Sequence, residues 1–148
     1  MKNKALLIVD DHPIFRRSLV RLISLFDRNF KFFEAGNGLE ALKIIEKTKI
    51  DLIILDIQMP KMNGIDCLKE AKIQAPNTKV IVLTQFDEPS LIVLLAQLGA
   101  EGFLLKECDP KELETAIDAV LTIGHYFNSV AVEIPRTLTT VFREHMII

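Results

Sequence analysis

Short apolar runs alternate along the chain with longer segments in which apolar residues recur at helical spacing. The runs near 5–10, 30–35, 51–56, 79–84 and 102–106 read as strands. The first helix, about 13–26, places Pro13 in its opening turn, where a missing N–H costs nothing. It repeats Ile14, Leu19, Leu22, Ile23 and Phe26 at core-facing spacing and leaves Arg16, Arg17 and Arg21 on the wet side. The second helix, about 38–47, carries Leu39, Leu42 and Ile45; the third, about 65–75, carries Ile65, Leu68 and Ile73. The last, about 110–123, carries Leu113, Ile117, Val120 and Leu121. Strands alternating with helices predict parallel pairing through right-handed crossovers.

The runs Leu52-Ile53-Ile54-Leu55 and Val80-Ile81-Val82-Leu83 do not alternate, so both faces of these strands are covered and helices lie on both sides of the sheet. The expected fold is α/β, a doubly wound parallel sheet of five strands. Strand 2, Phe30-Lys31-Phe32-Phe33-Glu34, mixes charge with aromatic rings and runs into Ala35-Gly36-Asn37-Gly38, which suits an edge strand and a turn. Helix 4, from Ser90 to Leu98, is apolar almost all round, although a peripheral helix should keep a polar face. A contact face on or near this helix is expected, for a second copy of the chain or an output module.

A length of 148 residues is enough for one core without disulfide or metal staples. Hydrophobic content of 49% and charged content of 26% exclude disorder, and 20 acidic against 18 basic side chains generate no field that would draw nucleic acid or an anionic membrane. Direct nucleic-acid or membrane binding is therefore not expected. Only Ala5 to Val9 is apolar before two aspartates, too short for a signal-peptide core or a membrane span, so a cytoplasmic location is expected. Cys67 and Cys108 are too few and too far apart for a disulfide framework and read as structural thiols.

The chemistry lies where strands end. Asp56 closes strand 3, Asp10-Asp11 close strand 1, Thr84 closes strand 4 and Lys106 closes strand 5. Open α/β sheets bind ligands outside the carboxyl ends of their strands, so one edge collects three acids, a hydroxyl and an amine. Singly, Asp10 could cap a helix, Thr84 could begin a turn and Lys106 could be a solvated lysine. In this chain order they form a candidate site.

Four motifs carry a resemblance: Ile8-Val9-Asp10-Asp11-His12-Pro13, Leu55-Asp56-Ile57-Gln58-Met59-Pro60-Lys61-Met62-Asn63-Gly64, Leu83-Thr84, and Gly99-Ala100-Glu101-Gly102-Phe103-Leu104-Leu105-Lys106. Over roughly residues 4 to 125 the chain resembles receiver domains of two-component response regulators, particularly the NarL/LuxR-type subgroup. The resemblance implies a flavodoxin/CheY-like (βα)5 fold of strand order 2-1-3-4-5, with a receiver domain over 1–125 and a linker or C-terminal extension over 126–148. It also implies that Asp56 accepts a phosphoryl group from a sensor histidine kinase, that Lys106 and Thr84 meet the phosphoryl oxygens, and that Thr84 and Phe103 form a switch to the face of helix 4 and strand 5. In that switch Thr84 moves toward the phosphoryl group and the Phe103 ring turns into the space it leaves. Mg2+ is the implied cofactor, held by Asp11 and Asp56, by Asp10 through water, and by the Gln58 backbone carbonyl. His12 is implied to have no ligand role. By their own backbone properties Pro60 and Gly64 turn the loop after the acceptor and permit the bend into the third helix. The implied activity is that of a switch, not a metabolic enzyme, with at most self-phosphorylation from small donors and self-dephosphorylation. Two departures stand out: Lys106 is followed by Glu107 where many receivers have proline, and Gln85 follows Thr84 where many have a small residue.

Rival classes fit less well. A haloacid-dehalogenase-type phosphatase needs a second acid two residues after the nucleophile, where this chain has Gln58. A nucleotide-binding domain or a flavodoxin needs a phosphate-friendly loop after strand 1, where Asp10-Asp11-His12-Pro13 would repel phosphate. A receiver-like interaction module working without phosphorylation ranks second, since such modules tend to lose residues that this chain keeps. NarL-type proteins usually continue into a helix-turn-helix DNA-binding domain, and no such output domain is expected within 126–148. Either the chain is part of a longer protein or it acts without a DNA reader of its own.

Overall fold

In a computed structural model, residues 3–26, 28–59, 62–85 and 88–127 are described. Five strands and five helices alternate among them: β1 (Lys4–Val9), α1 (Pro13–Ser24), β2 (Phe30–Ala35), α2 (Gly38–Lys47), β3 (Leu52–Asp56), α3 (Gly64–Gln74), β4 (Lys79–Thr84), α4 (Pro89–Gln97), β5 (Gly102–Leu105) and α5 (Pro110–Thr122). All pairings are parallel and the order is β2-β1-β3-β4-β5, the doubly wound arrangement expected. Pro60, and the extension beyond Phe127, lie outside the described residues.

The strand pleat divides the core between two faces. Leu7, Val9, Ile53, Leu55, Val80, Val82 and Phe103 share one cluster with residues of α2, α3 and α4. Leu6, Ile8, Leu52, Ile54, Ile81, Leu83 and Leu104 share the other with α1 and α5. Strand β3 is buried along its whole length, whereas β2, the edge strand, is buried only at Ala35. The Val9–Leu55 and Asp56–Leu83 register brings the ends of β1, β3 and β4 level.

Three residues expected in the core are exposed: Ile14 at 84%, Leu39 at 50% and Ile73 at 72%. At 100° per residue Ile14 lies about 140° round α1 from Leu19, and Leu39 about 160° round α2 from Ala41. The inward stripes run instead through Leu19 and Ile23, Ala41 and Ile45, and Cys67, Leu68 and Ala71. Small Ala41 and Ala71 take inward positions that a search for large apolar residues passes over. Arg16 is a further correction. Its side chain is only 16% exposed, donating to Glu34 Oε1 at 3.0 Å and to the Asp10 carbonyl at 2.6 Å, while Arg17 stays in water. Arg16→Ala is therefore expected to cost about 1–2 kcal/mol in a urea melt, and Arg17→Ala less than about 0.5 kcal/mol.

Far from the site, Lys72 near the end of α3 is bonded to both Glu101 oxygens, at 2.8 and 2.6 Å, and to the Thr78 carbonyl. Glu101 also accepts the Val80 N–H, which ties α3 to the beginnings of β4 and β5. Burial lowers the Lys72 ammonium from its ordinary value, and Glu101 opposes that pull. Past α5, Tyr126 bridges to Gly102 and exchanges backbone bonds with Glu101 and Phe103, and Phe127 is buried in the core. The segment docked on β5 thus runs two residues beyond position 125.

Candidate functional site

The strand ends bring Asp10, Asp11, Asp56, Thr84 and Lys106 to one edge of the sheet. Asp56 is the last residue of β3 and 1% exposed; Asp10 follows β1 and is 2% exposed. Two carboxylates buried this closely need donors, and each has them. Asp56 Oδ1 accepts the Gln58 N–H at 3.0 Å, and Oδ2 accepts Lys106 Nζ at 3.0 Å. Asp10 Oδ1 accepts the His12 N–H at 2.8 Å, and Oδ2 lies 3.4 Å from the same Lys106 Nζ.

Lys106 reaches this position because its N–H bonds the Thr84 carbonyl at 2.7 Å, which extends the β4–β5 ladder one residue past Leu105. Among the described residues no peptide bond is cis, so Glu107 in place of proline leaves the lysine on target. The ammonium also lies over the Phe15 ring at 5.0 Å, a cation–π contact that holds it from the side. Burial alone would lower Lys106, but its bonds to Asp56 and its proximity to Asp10 prevail and hold the ammonium above its ordinary value. For Asp56 burial prevails: it raises the carboxyl above its ordinary value although Gln58 and Lys106 pull it down, with Asp10 adding to the rise.

Asp11 completes the cluster from the other side. Its Oδ1 is buried and has no hydrogen-bond partner. Ligand atoms of Asp10, Asp11, His12 and Asp56 all lie within 4.8 Å of one another. A hard divalent cation fits this donor set, because it would offset three carboxylates and satisfy the orphaned oxygen. Gln58 has its N–H turned to Asp56, with its side chain exposed. Beside Lys106 a cleft of about 580 Å³, lined by His12, Phe15, Gln85, Lys106 and Glu107, opens the site to solvent.

Thr84 is fully buried at the end of β4, opposite Leu105. Phe103 is fully buried as well, in the cluster that contains Ile92, Leu95 and Ala96 of α4. In this state the ring packs beneath α4. Phenylalanine carries no hydroxyl that would favour a solvent-facing position, so burial is its lower-energy state.

Loop residues around the acceptor show how close the packing is. A Cβ on Gly64 would fall 2.2 Å from Ile57 Cα and 2.7 Å from the Asp56 carbonyl oxygen, so α3 can begin there only without a side chain. Met62 adopts a left-handed φ of 55°, uncommon for a residue with a side chain, and packs against Gly38. Sequence reasoning missed Phe15, Arg16 and the placement of His12. Only the Asp10-Asp11-His12-Pro13-Ile14-Phe15-Arg16 spacing held that signal, as one helical turn folding back over the strand end.

Residues 6–118 match the family described as response regulator receiver domain. The chain is 36% identical over 140 residues to the uncharacterized transcriptional regulatory protein YhcZ of Bacillus subtilis, covering 95% of this chain and 64% of that protein. It is 38% identical over 113 residues to the nitrate/nitrite response regulator protein NarP of Escherichia coli, covering 76% of this chain and 53% of that protein. A solved LuxR-family two-component response regulator from Aurantimonas sp. superposes with a TM-score of 0.84 at 26% identity, over 93% of this chain and 99% of that one. The chain thus spans between half and two-thirds of the length of these two curated relatives.

Proposed function

The chain belongs to the response regulator receiver domain family of two-component systems, and from that premise we propose that Asp56 is the residue that accepts a phosphoryl group from a partner histidine kinase. One observation carries this assignment. Asp56 is a buried carboxylate at the open sheet edge, held between a backbone N–H and an ammonium, and it faces an acidic neighbour with an unsatisfied oxygen.

In the reaction an Asp56 oxygen forms a bond to phosphorus as the N–P bond of the donor phosphohistidine breaks, and the electron pair of that bond leaves with the imidazole. Lys106 exchanges its contact with the carboxylate for one with a phosphoryl oxygen, a charge-assisted bond of the same kind. The Thr84 hydroxyl provides a donor to a second oxygen from the facing strand end. Asp10, Asp11, Asp56 and the Gln58 carbonyl would hold Mg2+, which supplies positive charge against the phosphoryl oxygens. Hydrolysis of the acyl phosphate returns Asp56 to its starting state, and the exposed side chains of Gln58 and Gln85 stand where they can govern access of water.

The signal is read on α4 and β5. Leu94 is exposed there, Leu91, Val93 and Leu98 are half-buried, and Phe103 lies beneath. Occupancy of the site draws Thr84 toward it, and the Phe103 ring turns into the space it leaves. We assign a receiver unit reaching to Phe127, with the remaining residues as linker, and a transcriptional output in keeping with the relatives named above. The alternative, an interaction module without phosphorylation, leaves the Asp56–Lys106 pair and the orphaned Asp11 oxygen without a purpose.

Incubation with acetyl phosphate and Mg2+ is expected to add the mass of one phosphoryl group to the intact protein, and EDTA to prevent it. An unchanged mass with Mg2+ present would overturn the assignment.

A further inference from the structure

His12 has no role in the proposal above, yet its imidazole stands inside the acidic cluster. Nδ1 lies 3.0 Å from Asp10 Oδ1 and 3.1 Å from Asp11 Oδ1. Those separations match adjacent ligands of an octahedral cation with bonds of about 2.1 Å, which stand about 3.0 Å apart. The contact with Asp11 is not a hydrogen bond, since Asp11 Oδ1 is buried without any partner. A cation among Asp10, Asp11, His12 and Asp56, whose ligand atoms all lie within 4.8 Å of one another, would satisfy that oxygen. Nδ1 is hydrogen-bonded to Asp10 Oδ1 at 3.0 Å, and that oxygen also accepts the His12 backbone N–H at 2.8 Å, so it keeps a donor when Nδ1 binds a cation instead. The ring is 64% exposed, so the proton can sit on Nε2 with water as its partner and leave Nδ1 free to ligate.

Resting on the metal reading of the site given above, we propose that His12 Nδ1 is a ligand of the cation held by Asp10, Asp11 and Asp56, and that the site therefore prefers Mn2+ and Co2+ to Mg2+. Mg2+ is a hard ion that takes oxygen and gives up water reluctantly. Imidazole nitrogen suits the later divalent ions, so one nitrogen among the carboxylates shifts the preference toward them. Pro13 supports this geometry by opening α1 directly after His12, which fixes the backbone that carries the ring. As N-cap of α1, His12 makes no side-chain capping bond, so replacing it does not remove a helix cap.

The test uses the full chain, stripped of metal and titrated with MgCl2 or MnCl2, with binding followed by calorimetry and the Mn2+ form examined by pulsed electron paramagnetic resonance. Wild type is expected to show nitrogen-14 coupling to bound Mn2+. His12→Ala is expected to lose that coupling and about tenfold in Mn2+ affinity, while Mg2+ affinity stays within about twofold. His12→Gln, similar in reach but offering an amide, is expected to lose the coupling as well. Absence of nitrogen coupling in wild type, or an unchanged Mn2+/Mg2+ ratio in His12→Ala, overturns the role of His12 while leaving the carboxylate site intact. Failure of both cations to bind wild type overturns that role and the metal reading beneath it.

Discussion

Asp56→Asn is expected to lose phosphoryl acceptance by roughly three orders of magnitude or more, as removal of a nucleophile does, and yet to melt at a higher temperature than wild type in metal-free buffer. Loss of labelling follows because the amide offers no anionic oxygen to phosphorus. The gain in stability follows from the raised carboxyl. A carboxyl whose folded pKa stands above its ordinary 3.8 stabilises the fold only while protonated. That contribution is complete below the ordinary value and is lost as pH rises through the raised one. Toward neutral pH the wild type therefore loses that contribution at a buried carboxyl, a loss that Asn avoids. In the variant Lys106 loses its ionic bond to Asp56 and is left with Asp10 as its remaining acid, which works against the gain. Thermal melts across pH should show the smallest gap near the ordinary carboxylate value and a wider one toward neutrality. Mg2+ should narrow the gap again, since tenfold excess over its Kd adds about 1.4 kcal/mol to wild type. A variant that is labelled like wild type would refute the acceptor assignment, and one that melts lower at neutral pH would refute the electrostatic argument.

Gly64→Ala is expected to be the most damaging single methyl in the domain. The new Cβ would meet Ile57 Cα at 2.2 Å and the Asp56 carbonyl oxygen at 2.7 Å, and these are backbone atoms that no rotamer change can move. The start of α3 must then back away from the end of β3 and give up the Gly64 N–H bond to the Ile57 carbonyl, 3.0 Å long. Such overpacking costs about 3 kcal/mol, and Tm should fall by roughly 10 °C. The acceptor should also label more slowly, because the displaced backbone is the one that carries it. A melt within about 2 °C of wild type would show that the helix start can yield after all.

Much of this architecture could be read before any coordinates. Leu52 to Leu55 and Val80 to Leu83 announced two-sided burial by being apolar without alternation, and both strands are indeed covered on both faces. The acids, the hydroxyl and the amine were legible because strand ends are fixed by where apolar runs stop, and the parallel order then gathers those ends on one edge. Helix faces were harder. Ile14, Leu39 and Ile73 are large and apolar but half a turn off their stripes, and the alanines that pack inward give a weak signal. Arg16 was assigned to water because its partners, the Asp10 carbonyl and Glu34, belong to other elements. Gly64 was expected to supply a bend, whereas the structure needs it for close approach, a property of two chain segments that neither reveals alone.

The Lys72–Glu101 clasp lies at the end of the sheet opposite the acids, where α3 finishes and β4 and β5 begin. The clasp joins the last turn of α3 to the first residues of β4 and to the residue before β5. Lys72→Ala is therefore expected to loosen the far ends of α3, β4 and β5, read as faster amide hydrogen exchange there than in wild type. The acceptor edge and its ionic anchor thus sit at opposite ends of the same largely buried strands, one end held by charge and the other open to it.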